Sequence, residues 1–378
     1  MLSEDHKKKF ISEVKAASNL GTYVIVGWRP LAFGIQFCQI PIYAIATRSA
    51  LLLERISADN HRISGEEMQA MEASGCILTD IKLPFQMPDD EDSVHYVEEL
   101  IKPYVVQWSS CRGVVLFDIV AFSKYTAFEQ MAQIRVLSNF IDLAAQRCRT
   151  LGHDINVSKS TTGDGFYVWN EVDGVEGDIA LYLSTMLTLA YYYGARQSNL
   201  TRGFPLLRCC INFGSHFEYR SAMENDANGG DYIVGDVTIG LARMMSAAQP
   251  SQLLVGVHSR DISGTNFGEH LGRDTLDTTS LIDIGRLCMD SLIGISLPGG
   301  KIASAEAYLT GSKISDSEFT IKKYSVADKH GMNHQCYNAR FNLEISGGDA
   351  INVGLRNEAL EAFAGTPLGD QELTIRVR

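Results

Sequence analysis

The chain has 378 residues, 45% of them hydrophobic, which is enough to bury a sizeable core as one large domain with flanking pieces or as two to three smaller ones. Its 33 basic residues stand against 45 acidic ones, a formal charge of -12, and a surface of that sign repels phosphate backbones and argues against nucleic acid as a partner. An anionic small substrate would need a local basic patch or a divalent cation to hold it.

The N-terminus, "MLSEDHKKKF", is charged and carries no secretory signal. None of the eight cysteines sits in a C-x-x-C or zinc-like spacing, so all are read as reduced and mostly buried, which fits a cytoplasmic protein. The stretch from Pro30 to Thr47, "PLAFGIQFCQIPIYAIAT", is free of charge between Arg29 and Arg48. It holds two prolines and two glutamines, so a buried core segment or a dimer-packing helix is favoured over membrane association through residues 30–47. A polar helix at "SGEEMQAMEASG" and an acidic break at "MPDDEDS" follow. Residues 1–105 are read as a mainly helical region of unknown role.

From Trp108 the pattern becomes strand and helix in alternation. "RGVVLFDIVAF" is a continuous apolar run, as a buried strand requires. "KYTAFEQMAQIRVLSNFIDLAAQRCRTL" has helical spacing, and "INVSKSTTGDGFYVW" places two β-like arms around a Gly163-Asp164-Gly165 turn. "DIALYLSTMLTLAYYYGAR" reads as a heavily buried helix, "LLRCCINFGSHFEY" as a strand, "DVTIGLARMMSAAQ" as a helix and "SQLLVGVH" as a strand. The sum is an α/β sandwich, helices packed on a sheet, over residues 106–312. Residues 313–378 read as a small β-rich extension.

Asp118 falls at the end of the first buried strand, where open α/β sheets build ligand sites. Asp164 falls at the tip of the hairpin. If strand and hairpin pair, the two carboxylates converge on one rim, and hard oxygen ligands there suit Mg²⁺ or Mn²⁺. Taken singly, each aspartate is better read as a strand-end or turn residue.

As an ordered set, "VLFDIVAFSKY", "TTGDGFYVW", "LLRCCINFG" and "YIVGDVTIGLARMMSAAQPSQLLVG" resemble the catalytic domain of the class III nucleotidyl cyclases over about residues 108–310. The resemblance implies a ferredoxin-like βαββαβ core, and two such domains paired head to tail with active sites at the homodimer interface. It implies a nucleoside triphosphate substrate converted to a 3',5'-cyclic monophosphate and pyrophosphate, with two Mg²⁺ or Mn²⁺ per site. By position, Asp118 and Asp164 match the metal-binding aspartates, with the Ile119 carbonyl as a backbone ligand. Amides around Phe122 and Ser123 would face the phosphates at the following helix N-terminus. Arg208 matches a triphosphate-binding arginine, Arg243 the transition-state arginine given by the partner subunit, and Lys301 lies within a residue of a triphosphate-binding lysine.

The chain departs from the family at three positions. The two base-selecting residues align with Ser160 and Tyr232, a hydroxyl pair that encodes neither adenine nor guanine. Pyrimidine cyclases, a bacterial branch of the family, also depart from the purine code, so UTP or CTP joins the candidate substrates. The ribose-orienting asparagine is replaced by Ile239, and loss of one such donor costs on the order of 10²–10³ in rate. The competing reading is a degenerate cyclase-homology domain that binds nucleotide or dimerises as a regulatory module. A diguanylate cyclase is disfavoured, because "TGDGF" lacks the acidic residue of a "GGDEF" hairpin.

Overall fold

The computed structural model of the chain describes residues 4–17, 22–41, 55, 58, 60–83, 90–198, 204–220, 231–312, 314–315, 318–327, 331–360 and 362–376. The described part of the chain forms two compact units, one of residues 1–109 and 217–233 and one of 110–216 and 234–378.

The first unit opens with α1 (Glu4–Ala17), then β1 (Tyr23–Leu31) and β2 (Gly34–Pro41), followed by α2 (Gly65–Ala73), β3 (Ile77–Lys82) and α3 (Glu91–Ile101). The strands form an antiparallel sheet in the order β1-β2-β3. The charge-free stretch is explained here, and not as a helix. Its described part, residues 30–41, ends β1 and forms β2, whose residues are buried on both faces. Ile35 and Phe37 join one apolar cluster with Phe10, Val97 and Ile101, while Cys38 and Ile40 join another with Met68 and Met71. A strand covered on both sides reads as a continuous apolar run, so the described part of the stretch is the buried core segment that was one of the two expectations, and not the dimer-packing helix that was the other. Residues 42–47 lie outside the described residues. The region is mixed α/β rather than mainly helical, and no described helix is long and apolar enough to cross a membrane.

The second unit is built on β4 (Gln107–Ile119), α4 (Ala127–Thr150), β5 (Val157–Thr161), β6 (Gly165–Asn170), α5 (Val175–Gln197) and β7 (Leu207–Arg220). Then come β8 (Asp231–Val234), whose residues 231–233 belong to the first unit, α6 (Asp236–Ala247), β9 (Leu253–Gly256), β10 (Ser259–Asp261), α7 (Asn266–Leu271), β11 (Thr275–Asp277) and α8 (Thr278–Cys288). The chain closes with β12 (Ser296–Leu297), β13 (Gly300–Leu309), β14 (Glu318–Ala327), β15 (Asn333–Ser346), β16 (Ile351–Val353) and β17 (Thr366–Arg376). Spatial order in the main sheet is β12-β13-β15-β9-β7-β4-β6-β5. The βαββαβ run from β4 to β7 thus has its first strand between its third and fourth, the ferredoxin-like order, in a mixed α/β fold. Both β4–β6 and β5–β6 are antiparallel, and β9 adds to β7 in parallel.

Helix α5 is buried all round from Ile179 to Ala195 and packs against α4, α8, β12 and β16. A helix apolar on every side must be enclosed, and residues beyond 312 help to enclose it. Strand β15 is inserted between β13 and β9, and β16 pairs with β15. The C-terminal segment therefore completes the same sheet. A buried amide fixes its register: Asn338 donates to Thr310 Oγ1 (2.7 Å) and the Leu355 carbonyl (2.8 Å), and accepts from Gln252 Nε2 (3.1 Å). The eight cysteines are all free.

Candidate active site

β4 ends in "VVLFDI", a β-branched and aromatic run buried from Val114 to Ile119. Its partner β6 starts at Gly165, which sits opposite Asp118. The turn between β5 and β6 is shaped by glycine. Gly163 has φ +95°, a region other residues rarely adopt, and a Cβ on Gly165 would fall on the Phe117 carbonyl oxygen. The turn is pinned to β4 by the Ile119 amide, which donates to the Asp164 carbonyl at 2.9 Å. Asp164 accepts at Oδ1 from the Thr162 hydroxyl at 3.2 Å. The two aspartates thus sit one register step apart on one rim, close enough that the Asp164 charge raises the pKa of Asp118.

Asp118 is 7% exposed. Burial pushes its carboxyl up, against the pull of Arg208, and Asp164 adds to the rise. Arg208, near the start of β7, reaches Asp118 Oδ2 with Nε at 2.8 Å and Nη2 at 2.6 Å. Its Nη1 donates to the carbonyls of Met245 (3.3 Å) and Ala248 (3.4 Å) at the end of α6. This ion pair was not foreseen from sequence. It depends on β7 lying beside β4, an adjacency that no local pattern encodes.

After Ile119 the chain turns sharply. Val120 N donates to the Leu206 carbonyl, and Ala121 takes a left-handed conformation with φ 57°. Phe122 and Ser123 lie in the one-turn 3₁₀ helix Phe122–Lys124, not at the start of α4. α4 begins at Ala127 and is closed by a capping box in which Thr126 and Glu129 satisfy each other's amides. The amides expected to meet phosphate therefore belong to the turn before the helix. Gln130 Nε2 holds that turn through the carbonyls of Phe122 (3.1 Å) and Tyr125 (3.0 Å). The Thr-x-x-Glu spacing is the sequence signal for this cap.

The remaining expected residues are spread more widely. Ser160, half-buried on β5, pairs with Tyr167 two strands from β4, ~10 Å at the usual strand spacing. Arg243 and Ile239 lie on α6, and Ile239 is 50% exposed. Tyr232 is on β8 and exposed. Lys301 does not reach the rim within one chain, since β13 stands four strands from β4, or ~19 Å. A separate cavity of about 910 Å³, lined by Arg273, Asp283, Arg286 and Tyr308, contains none of the expected site residues.

Among the described residues, no group of three or more His, Cys, Asp or Glu is placed to hold a metal ion alone. Two hard carboxylates at one rim nonetheless fit a cation of the Mg²⁺ type, which takes one or two carboxylates and completes its shell with water and substrate phosphates.

No protein-family model matches the chain, and no curated protein matches it. Solved structures it is similar to include adenylyl and guanylyl cyclases. They include the adenylyl cyclase CyaB from P. aeruginosa, with 16% identity over 64% of this chain and 96% of that one at a TM-score of 0.36. The guanylate cyclase domain of RhGC from Catenaria anguillulae, in complex with GTP, gives 15% identity over 64% and 100% at 0.32. Adenylate cyclases from Trypanosoma brucei in their monomeric state give 10% over 66% and 95% at 0.30. At these scores the likeness carries no weight on chemistry, which rests on the residues of the rim.

Proposed function

We propose that the chain is a nucleotidyl cyclase that converts a nucleoside triphosphate to its 3',5'-cyclic monophosphate and pyrophosphate. One observation carries the reading: Asp118 and Asp164, distant in sequence, meet on one rim of a ferredoxin-like sheet with Arg208 beside them. Asp118, Asp164 and the Ile119 carbonyl would hold Mg²⁺ or Mn²⁺, two ions per site. Such ions lower the pKa of an attacking hydroxyl and neutralise phosphate charge.

The chain's own residues do the positioning. The turn at Phe122 and Ser123 offers amides to the triphosphate, and Arg208 adds a planar, permanently charged fork suited to phosphate. A second copy supplies Arg243 to the developing charge at the α-phosphate, with Lys301 as a further cation, and presents Ser160 and Tyr232 to the base. Donors preorganised at that charge supply most of the rate in chemistry of this kind. The exposure of Ile239 in the single chain favours its use as a contact between copies. Because Ile239 offers the ribose no hydrogen bond, turnover is expected to be slow, on the order of 10²–10³ below a site with such a donor.

The test is the purified chain with Mn²⁺ and ATP, GTP, CTP and UTP separately, read by pyrophosphate release and product mass. A cyclic monophosphate from at least one nucleotide, lost in Asp164→Ala and in Asp118→Asn, supports the proposal. Nucleotide binding without any cyclic product supports the degenerate regulatory module instead.

A further inference from the structure

We infer that Arg208 is a placeholder for the cation: it occupies Asp118 while the site is unloaded and must leave that carboxylate for a divalent metal to be held there. The inference rests on the proposed use of Asp118 and Asp164 as metal ligands. Both short bonds from Arg208, 2.8 Å from Nε and 2.6 Å from Nη2, end on the same oxygen, Oδ2. That carboxylate is nearly enclosed, with its side chain 10% exposed. Oδ2 already accepts both bonds and has no lone pair to spare for a metal, and a guanidinium held this close repels a divalent cation from Oδ1 as well, strongly so where water is scarce.

The arrangement has a physical reason. A buried carboxylate beside a second carboxylate needs a positive partner at all times. Arg208 provides one before any cation arrives. Its remaining nitrogen rests on the carbonyls of Met245 and Ala248, neutral acceptors that do not compete for its charge. A bound triphosphate offers the fork a better acceptor, since guanidinium and phosphate pair in a planar, charge-assisted geometry. Loading is then an exchange of partners. The Asp118–Arg208 pair gives way to Asp118–metal and Arg208–phosphate, and no charge is left bare. Arg208 is thus a positioning residue that raises the metal concentration needed when nucleotide is absent.

If Arg208 served only to hold Asp118 in place, its removal would weaken metal binding. The placeholder role predicts the opposite sign, so the measurement decides between them. Mn²⁺ binding to the full-length chain without nucleotide is followed at pH 8 by the electron paramagnetic resonance of the free ion. Arg208→Met is expected to bind Mn²⁺ more tightly than the unaltered chain, on the order of tenfold. Arg208→Gln, which keeps a donor for the Met245 and Ala248 carbonyls without the charge, should shift the same way and serves if the first variant folds poorly. Asp164→Asn should bind more weakly. Equal or weaker binding in both Arg208 variants, with Asp164→Asn still weakened, overturns the placeholder role and leaves the metal site standing. Binding unchanged in all three overturns the placeholder and the metal site together.

Discussion

Asp164 owes its position beside Asp118 to two glycines and a hydrogen bond. Gly163 allows the turn its left-handed step, Gly165 lets β6 approach the Phe117 carbonyl, and the Ile119 amide ties the Asp164 carbonyl to β4. A single methyl at Gly165 must push the strands apart at the point where the carboxylates meet. Gly165→Ala is therefore expected to cost about 1–3 kcal/mol of stability, as overpacking of a tight contact does. It should also weaken Mn²⁺ binding, because the aspartates separate. Denaturant unfolding and Mn²⁺ titration check the two effects, and unchanged stability would mean the hairpin is less tightly seated. At this scale the aspartates were legible in sequence, since a strand-end acid and a Gly-Asp-Gly turn are local patterns. The Arg208 ion pair was not, because it joins residues 90 positions apart through strand adjacency.

At the scale of elements, the alternation from β4 to β9 was legible because each piece carries its own period and its own turn. The charge-free stretch near Pro30 was legible as buried core but not as a strand, because burial on both faces erases the alternation that marks one. The C-terminal strands were seen, but not their insertion beside β9. Another pairing hidden from sequence lies at α5, where Asp178 accepts from the Gly113 amide at 2.6 Å and from Arg260 Nη1 at 2.7 Å. Burial outweighs the pull of Arg260 and pushes the Asp178 carboxyl up to about 7, from an ordinary value of 3.8. The fold therefore favours its protonated form. The stabilisation this group gives is complete below pH 3.8 and is lost as the pH rises towards about 7. Asp178→Asn is neutral throughout. It should lower Tm overall, because its Nδ2 faces the Gly113 or the Arg260 donor where an oxygen accepted, yet lose less Tm between about pH 5 and about pH 7 than the unaltered chain does. Parallel pH profiles of the two proteins would remove Asp178 as the titrating group.

At the scale of the molecule, the chain comprises two compact units, and the rim of Asp118, Asp164 and Arg208 lies in the second. The proposed site is incomplete in one copy, since the aspartates come from one chain and Arg243 from the other. Head-to-tail pairing with two symmetric sites has a quantitative consequence. Asp164→Ala lacks a metal ligand but can lend Arg243, whereas Arg243→Ala lacks the arginine but keeps both aspartates. Mixed in equal amounts and allowed to exchange, half of the dimers hold one chain of each kind, and each of these has one intact site out of two. The most direct measurement is the cyclase activity of that mixture with Mn²⁺ and the preferred nucleotide. The predicted result is recovery to about a quarter of the unaltered activity from two variants that are each inactive alone; a mixture that stays as inactive as its components would contradict the shared site.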